Sequence, residues 1–382
     1  MPWKEVSPVQ QRENFINDLR LKMFSVTELC ARYGVSRKTA YKWIQRYEEE
    51  GFPGLVDRSR APKSCPHRIE PGVARLICDV RRRHPTWGAK KILQWIQPRY
   101  PELPLPAVST AGDLLARRNL VKRKRRRRKH QHPGVVPAVT HHPNDLWTAD
   151  FKGHFKTMDA LYCYPLTVAD QHTRFLLACK GMLSTEHDPV FKAFDRLFRE
   201  YGLPAAIRTD NGVPFATVAI HGLSRLSVWW MRLGIQHQRI LPGCPQQNGK
   251  HERMHKTLKA EATRPPKANL RQQQRAFDAF VTLYNDERPH DALDGKTPAS
   301  LYKPSNRTYD GKLPPYNYPG HFILKRVNNA GTIKLGKKLL FLATPLKQNI
   351  VGLEEVDDGI WAIHFCNVLL AHVDERNCIV RP

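Results

Sequence analysis

Long apolar runs are missing from this chain of 382 residues. No stretch of about 18 apolar residues occurs, so a membrane-spanning helix is not expected. The start, Met1-Pro2-Trp3-Lys4-Glu5, lacks the apolar segment of a secretory leader. Cysteine is sparse: the eight cysteines are scattered and form no Cys-x-x-Cys pair. That pattern excludes a disulfide scaffold and a four-cysteine zinc site, and it fits a reducing cytosol. Acid is also in short supply, with 35 Asp+Glu against 62 Lys+Arg and a net charge of +27. Hydrophobic residues make up 41%, enough to bury real cores, so wholesale disorder is excluded. A charge of this size on a globular composition points to a polyanionic partner, with nucleic acid first and an anionic membrane surface second.

The length predicts several domains. Ser25-Val26-Thr27-Glu28 has the spacing of a capping box, and Leu29, Val35, Ala40, Trp43 and Ile44 recur at helical intervals. Gly34 breaks the pattern and Ser36 offers a fresh cap. This is the layout of a helix-turn-helix over 1–60, whose second helix would present Arg37, Lys38, Tyr41 and Lys42 to DNA. An ordinary helical hairpin with a basic surface explains the segment equally well; the net charge tips the reading toward DNA. Residues 61–120 read as a second helical DNA-binding unit, with helices expected at 74–83, 88–96 and 109–119. Lys122, Arg123, Lys124, Arg125, Arg126, Arg127, Arg128 and Lys129 form an unbroken run of cations inside a linker over 121–143. Such a run cannot pack in a core, and it suits a linker that tracks phosphates.

After Pro143 the periodicity changes. Strands are expected at 146–155, 162–169 and 174–180, then an amphipathic helix at 189–201. Strands and helices alternate from there, with a long helix starting near Asn248. Three strands followed by alternation predict an α/β core with a mixed sheet over 144–305. Residues 320–382 read as short strands with turns, the pattern of a small β-barrel.

Three acids stand out within the core. Asp150 alternates with Trp147, Ala149 and Phe151 on the first strand. Asp210 closes a short strand and opens an Asp-Asn-Gly turn, and Glu252 sits in the first turn of the long helix. Taken singly, each has a plain reading: a strand residue, a turn former, a helix-start acid. Lys256 and Lys259, at i+4 and i+7 from Glu252, share its helix face. Lys256 could pair with Glu252; contact with DNA is the favoured role for both. Asn248 reads either as a DNA contact or as a helix cap. Asp170 looks like a turn residue, Glu261 falls on the opposite helix face from Glu252, and the histidines are read as having no ligand spacing.

Trp147-Thr148-Ala149-Asp150, Arg208-Thr209-Asp210-Asn211-Gly212 and Pro245-Gln246-Gln247-Asn248-Gly249-Lys250-His251-Glu252-Arg253 together resemble the three signature blocks of the retroviral-integrase superfamily. The nearest likeness is to bacterial insertion-sequence transposases. Tyr284-Asn285 and Arg288-Pro289-His290 are similar to that family's stretch beyond the third acid. The resemblance implies an RNase H-like core and a catalytic, metal-binding triad of Asp150, Asp210 and Glu252. It also implies two Mg²⁺ ions with Mn²⁺ as a substitute, hydrolysis at transposon ends, and transfer of the freed 3′-hydroxyl into target DNA. Carboxylates suit hard divalent cations, and two ions about 3.5–4 Å apart can serve both oxygens of an in-line displacement.

Two departures accompany the resemblance. Forty-one residues separate Asp210 from Glu252, more than the family's usual spacing, with the surplus expected around 220–230. The paired His and paired Cys of an integrase zinc domain are absent, so no zinc is expected. The implied setting is cytoplasmic, on bacterial double-stranded DNA, as a homo-oligomer and without a membrane. A catalytically inactive, sequence-specific DNA-binding regulator is the alternative, and a nuclease that cuts without joining is a third reading.

Overall fold

The computed structural model describes residues 6–60, 69–121, 140–217, 219–241, 245–336, 338–377 and 379–381. It divides into two compact units, 1–68 and 69–382. The first holds α1 (Pro8–Arg20), α2 (Val26–Tyr33) and α3 (Arg37–Glu50). Ser25 and Glu28 form the expected capping box, and Gly34 ends α2 in the left-handed region at φ 63°. Ser36 then caps α3 through the Thr39 N–H. These local bonds enforce the turn between the two helices. Phe15, Ile16, Leu29, Ala40, Trp43 and Leu55 close a small core beneath them.

The second unit opens with α4 (Pro71–Arg83), α5 (Ala89–Ile96) and α6 (Val108–Arg117), packed around Ile77, Trp87, Ile92, Ile96 and Leu115. The mixed sheet follows, built from β1 (Leu146–Phe151), β2 (Phe155–Lys156), β3 (Tyr162–Asp170), β4 (Leu176–Met182), β5 (Ala206–Thr209) and β6 (Gln236–Arg239). β3 pairs antiparallel with β1 on one side and with β4 and β2 on the other. β1, β5 and β6 run parallel. One face carries α7 (His187–Tyr201) and α8 (Arg225–Arg232), whose Phe194, Phe198 and Trp230 pack on Trp147 and Ala149 of β1. The other face carries α9 (Gly249–Glu261) and α10 (Leu270–Thr282), with Met254, Leu258, Phe277 and Phe280 against β3 and β4. The two faces of β1 therefore separate: Trp147 and Ala149 enter the core under α7, while Thr148 and Asp150 turn toward α9. The extra length between Asp210 and Glu252 includes a 3₁₀ turn at Ile220–Gly222 followed by α8.

α10 ends in a π turn, Leu283–Glu287. There the Asn285 amide acts as a strand partner. Its Oδ1 accepts from the Leu176 N–H at 2.9 Å, and its Nδ2 donates to the Leu176 carbonyl at 3.0 Å. Asn285→Ala would leave both buried backbone groups without partners. We expect a loss of about 2–3 kcal/mol in urea unfolding, and a variant within about 0.5 kcal/mol of wild type would contradict that role.

The C-terminal strands correct one expectation. β7 (Ile323–Arg326), β10 (Ile350–Asp357), β11 (Ile360–Phe365), β12 (Val368–Asp374) and β13 (Ile379–Arg381) form an antiparallel sheet in the order β13-β12-β11-β10-β7. β8 (Thr332–Leu335) and β9 (Lys338–Phe341) pair only with each other. Among the described residues no pairing joins β7 to β13, so the sheet is open rather than a closed barrel. Closure is unnecessary because the apolar face is already covered. Ile333, Leu340 and Leu342 of the hairpin, with Leu223 and Val228 of the core, pack on Val351, Leu353, Ile363 and Phe365.

Candidate active site

The parallel pairing of β1 with β5 runs through Thr148 opposite Arg208. Two residues farther along each strand come Asp150 and Asp210, so both carboxylates stand at the carboxyl ends of adjacent strands, where open α/β sheets place their sites. Asp150 is paired across β3 with Thr167. Asp210 is held by its own turn. The Gly212 N–H donates to Asp210 Oδ1 at 3.1 Å, and Asn211 Nδ2 donates to the Ile240 carbonyl at 2.9 Å. A Cβ at position 212 would lie 3.2 Å from Asp210 Oδ2, so glycine leaves the carboxylate its room. α9 brings the exposed Glu252 to the same place from the opposite layer.

Asp150 feels the other two acids. Asp150 is pushed up to about 7, first by burial and then by the charge of Asp210, with Glu252 adding to it. That is uncompensated negative charge on an oxygen-only donor set, which suits a hard divalent cation. Among the described residues no three acidic, histidine or cysteine side chains converge closely enough to hold an ion as they stand. Asp150 lies in β1 and Asp210 directly follows β5, whereas Glu252 is exposed on α9.

Beneath Asp150 lies a buried polar layer that sequence reasoning missed. His251 and His255 stand four residues apart on the inward face of α9, so the histidine spacing did carry a signal. Thr167 Oγ donates to the Asp150 backbone carbonyl at 2.9 Å and lies 2.7 Å from both His251 Nε2 and His255 Nε2. His251 Nδ1 meets Thr148 Oγ at 2.8 Å. Burial pushes His251 down to about 3 and His255 down to about 2, so both rings are neutral. The 3.7 Å approach of His255 Nδ1 to Asp150 Oδ2 is therefore not an ion pair.

Cations surround the site. Lys256 and Lys259 are exposed on α9 and form no ion pair among the described residues, so the Lys256–Glu252 pair is not made. Arg208 donates to Gln238 Oε1 at 2.8 Å, and it lies with Arg174 near enough to Lys250 for both to lower the ammonium beyond the effect of burial. Asn248 is buried; its side chain makes no cap bond and its Oδ1 has no partner. Arg37, Lys38, Tyr41 and Lys42 are exposed on α3, in the other unit. The run Lys122–Lys129 lies outside the described residues. Asp170 is a turn residue, accepting from Asn144 N, Thr173 N and Thr173 Oγ. Glu261 is bonded to Arg288 and Thr86.

The integrase core domain matches residues 140–245 and, in a second form, 233–298. A helix-turn-helix domain matches 11–63 and a homeodomain-like domain 39–115. The chain is 25% identical over 267 residues to an uncharacterized 39.2 kDa protein of insertion element IS476 from Xanthomonas euvesicatoria, covering 67% of each chain. It is 31% identical over 198 residues to an uncharacterized 31.7 kDa protein of insertion element IS407 from Burkholderia multivorans, covering 49% of this chain and 66% of that one. Among solved structures, the HTLV-2 integrase catalytic core with magnesium shares 18% identity at a TM-score of 0.34, covering 42% of this chain and 97% of that one. A simian T-cell lymphotropic virus intasome shares 16% at 0.39, covering 78% and 97%. The chain thus carries an integrase core domain preceded by helix-turn-helix domains, and it is similar to proteins encoded by bacterial insertion elements.

Proposed function

We propose that the protein cuts at the ends of its element and joins the freed 3′-hydroxyl to target DNA, using Asp150, Asp210 and Glu252 as one site. The observation that carries this is the mutual placement of the three carboxylates, with Asp150 raised to about 7 by burial and by the other two. These residues would hold two Mg²⁺ ions, or Mn²⁺ in their place. Bound ions would neutralise the phosphoryl group and activate the attacking oxygen. The chain's own part is positioning. The strand ends fix the two aspartates, and Lys256 and Lys259, on Glu252's side of α9, neutralise neighbouring phosphates. Arg37, Lys38, Tyr41 and Lys42 of α3 contact the element's end, residues 61–120 form a second DNA-binding unit, and Lys122 to Lys129 add grip independent of sequence. Two ends meeting one target require more than one active site, so the working form is an oligomer.

The test supplies purified protein with a labelled duplex carrying the element's end, a target plasmid and Mg²⁺ or Mn²⁺. Metal-dependent joined product is expected. Specific binding of the end with no cleavage or joining in either metal would favour an inactive DNA-binding regulator, and cleavage without joining would favour a nuclease. Replacing Lys256 and Lys259 together should leave end preference intact and lower the slope of log affinity against log salt by about 2. An unchanged slope would remove both lysines from the interface.

A further inference from the structure

Counting hydrogens on the buried layer assigns it a definite bonding pattern. Thr167 has one hydroxyl hydrogen, and the Asp150 carbonyl can only accept. That carbonyl lies 2.9 Å away, so the hydrogen points to it. His251 Nε2 and His255 Nε2, each 2.7 Å from the same oxygen, must then both be N–H donors. Thr148 in turn gives its hydrogen to His251 Nδ1 at 2.8 Å rather than to the Ala169 carbonyl at 3.3 Å. One hydroxyl on β3 thus ties the backbone of Asp150 on β1 to two side chains of α9. His251 precedes Glu252 in sequence and His255 follows it by three residues, so Glu252 rides on the helical turn that these bonds clamp.

The same device occurs behind the second aspartate. Thr209 Oγ donates to the Asp210 carbonyl at 2.9 Å and lies 2.9 Å from His237 Nε2. By the same count His237 donates. Its ring is edge-on to the buried Trp230 at 5.3 Å.

We propose that the Thr167 hydroxyl, held by His251 and His255, is a positioning group that sets the register of the Glu252 helix against the Asp150 strand and so tunes divalent-ion affinity at the carboxylates. Thr209 with His237 is the matching latch for Asp210. Asp150 and Glu252 come from opposite layers of the fold, and no covalent or strand link fixes their spacing. The Thr167 hydroxyl bonds the Asp150 backbone and both α9 histidines, beside the Thr148–His251 contact. The two threonines bond the backbone carbonyls of Asp150 and Asp210, so these five side chains act through the acids. The inference rests on the metal-dependent reading above.

The experiment is Mn²⁺ binding to the full chain, followed by the loss of the free-ion electron paramagnetic signal, with thermal melting measured in parallel. Thr167→Val keeps the shape and removes the hydroxyl. It should weaken Mn²⁺ binding by about 10–100-fold, the range for groups that orient metal ligands, while Thr167→Ser stays within about threefold of wild type, since it restores that group. Should the valine variant not fold, His255→Leu against His255→Gln carries the same test. Glutamine can place an N–H where Nε2 lies and is expected to rescue, and leucine is not. A purely structural role would lower melting without moving the affinity of the folded protein. A folded Thr167→Val or His255→Leu that binds Mn²⁺ like wild type overturns the positioning role alone. A wild-type chain that binds no Mn²⁺, or a Glu252→Gln variant that binds it as wild type does, overturns the reading beneath it.

Discussion

Asp150→Asn is expected to stabilise the metal-free protein at alkaline pH while abolishing DNA joining. In the fold the Asp150 carboxyl has its pKa at about 7 against 3.8 for the free group, so the folded chain holds that proton more tightly than the unfolded one. The stability it contributes is fully present below about pH 3.8 and is lost as pH rises through about 7. The shift of about three units corresponds to roughly 4 kcal/mol. Asparagine stays neutral and escapes this loss. Its stability advantage over wild type should widen by about 3 kcal/mol between pH 5 and pH 8 in the presence of a chelator. Mg²⁺ should narrow the gap by stabilising wild type more. Joining should fall by at least about a thousandfold, because an amide cannot replace a ligating carboxylate. A gap independent of pH would contradict the burial and charge assigned to Asp150.

The buried histidines act in the opposite direction. Folding holds His251 and His255 far below 6.5, so their contribution is present above that value and is lost as pH falls through it toward about 3 and about 2. Below about pH 6.5 the two histidines outweigh the single opposing Asp150, so metal-free stability should fall toward acid, while above about pH 8 none of the three changes it further.

The second large effect concerns Arg288. Its guanidinium donates to Glu261 Oε1 at 2.7 Å, with side chains 9% and 14% exposed. The Thr86 hydroxyl, just before α5, bonds the same carboxylate oxygen. One small buried network thus ties the end of α9 to the helices that precede the sheet. Arg288→Met would strand the Glu261 carboxylate and should cost about 3–5 kcal/mol, read from urea unfolding by tryptophan fluorescence. Replacing Glu261 by Met in the same chain should recover most of the loss, since an apolar pair of similar volume needs no charge partner. A single variant within about 1 kcal/mol of wild type would show that the pair is solvated, as surface pairs are.

Local chemistry made much of the protein legible from its sequence. The caps at Ser25 and Ser36, the turn at Gly34 and the alternation around Asp150 are short-range effects, and the structure places them as read. What sequence reasoning missed depends on partners far along the chain. Asn285 looked like part of a motif, and only its pairing with Leu176 shows why an amide is needed there. His251 and His255 have helical spacing, yet their role depends on Thr148 and Thr167 arriving from two other strands. The C-terminal stretch was readable as short strands with turns, whereas an open sheet was not, because its cover comes from Leu223 and Val228 of the core. The 41-residue separation of Asp210 and Glu252 was visible as a surplus around 220–230, and the helix expected there over 223–233 is α8, with Trp230 in the main core.

The central claim is that three carboxylates on three elements make one metal-dependent joining site. The most direct measurement compares strand joining by wild type, Asp210→Asn and Glu252→Gln across a Mg²⁺ series, with end binding and melting checked for each. We expect wild type to join in proportion to bound metal, and each variant to bind the end normally while giving no joined product at any Mg²⁺ concentration. Joining that survives either substitution in a folded, DNA-bound protein would contradict the shared site.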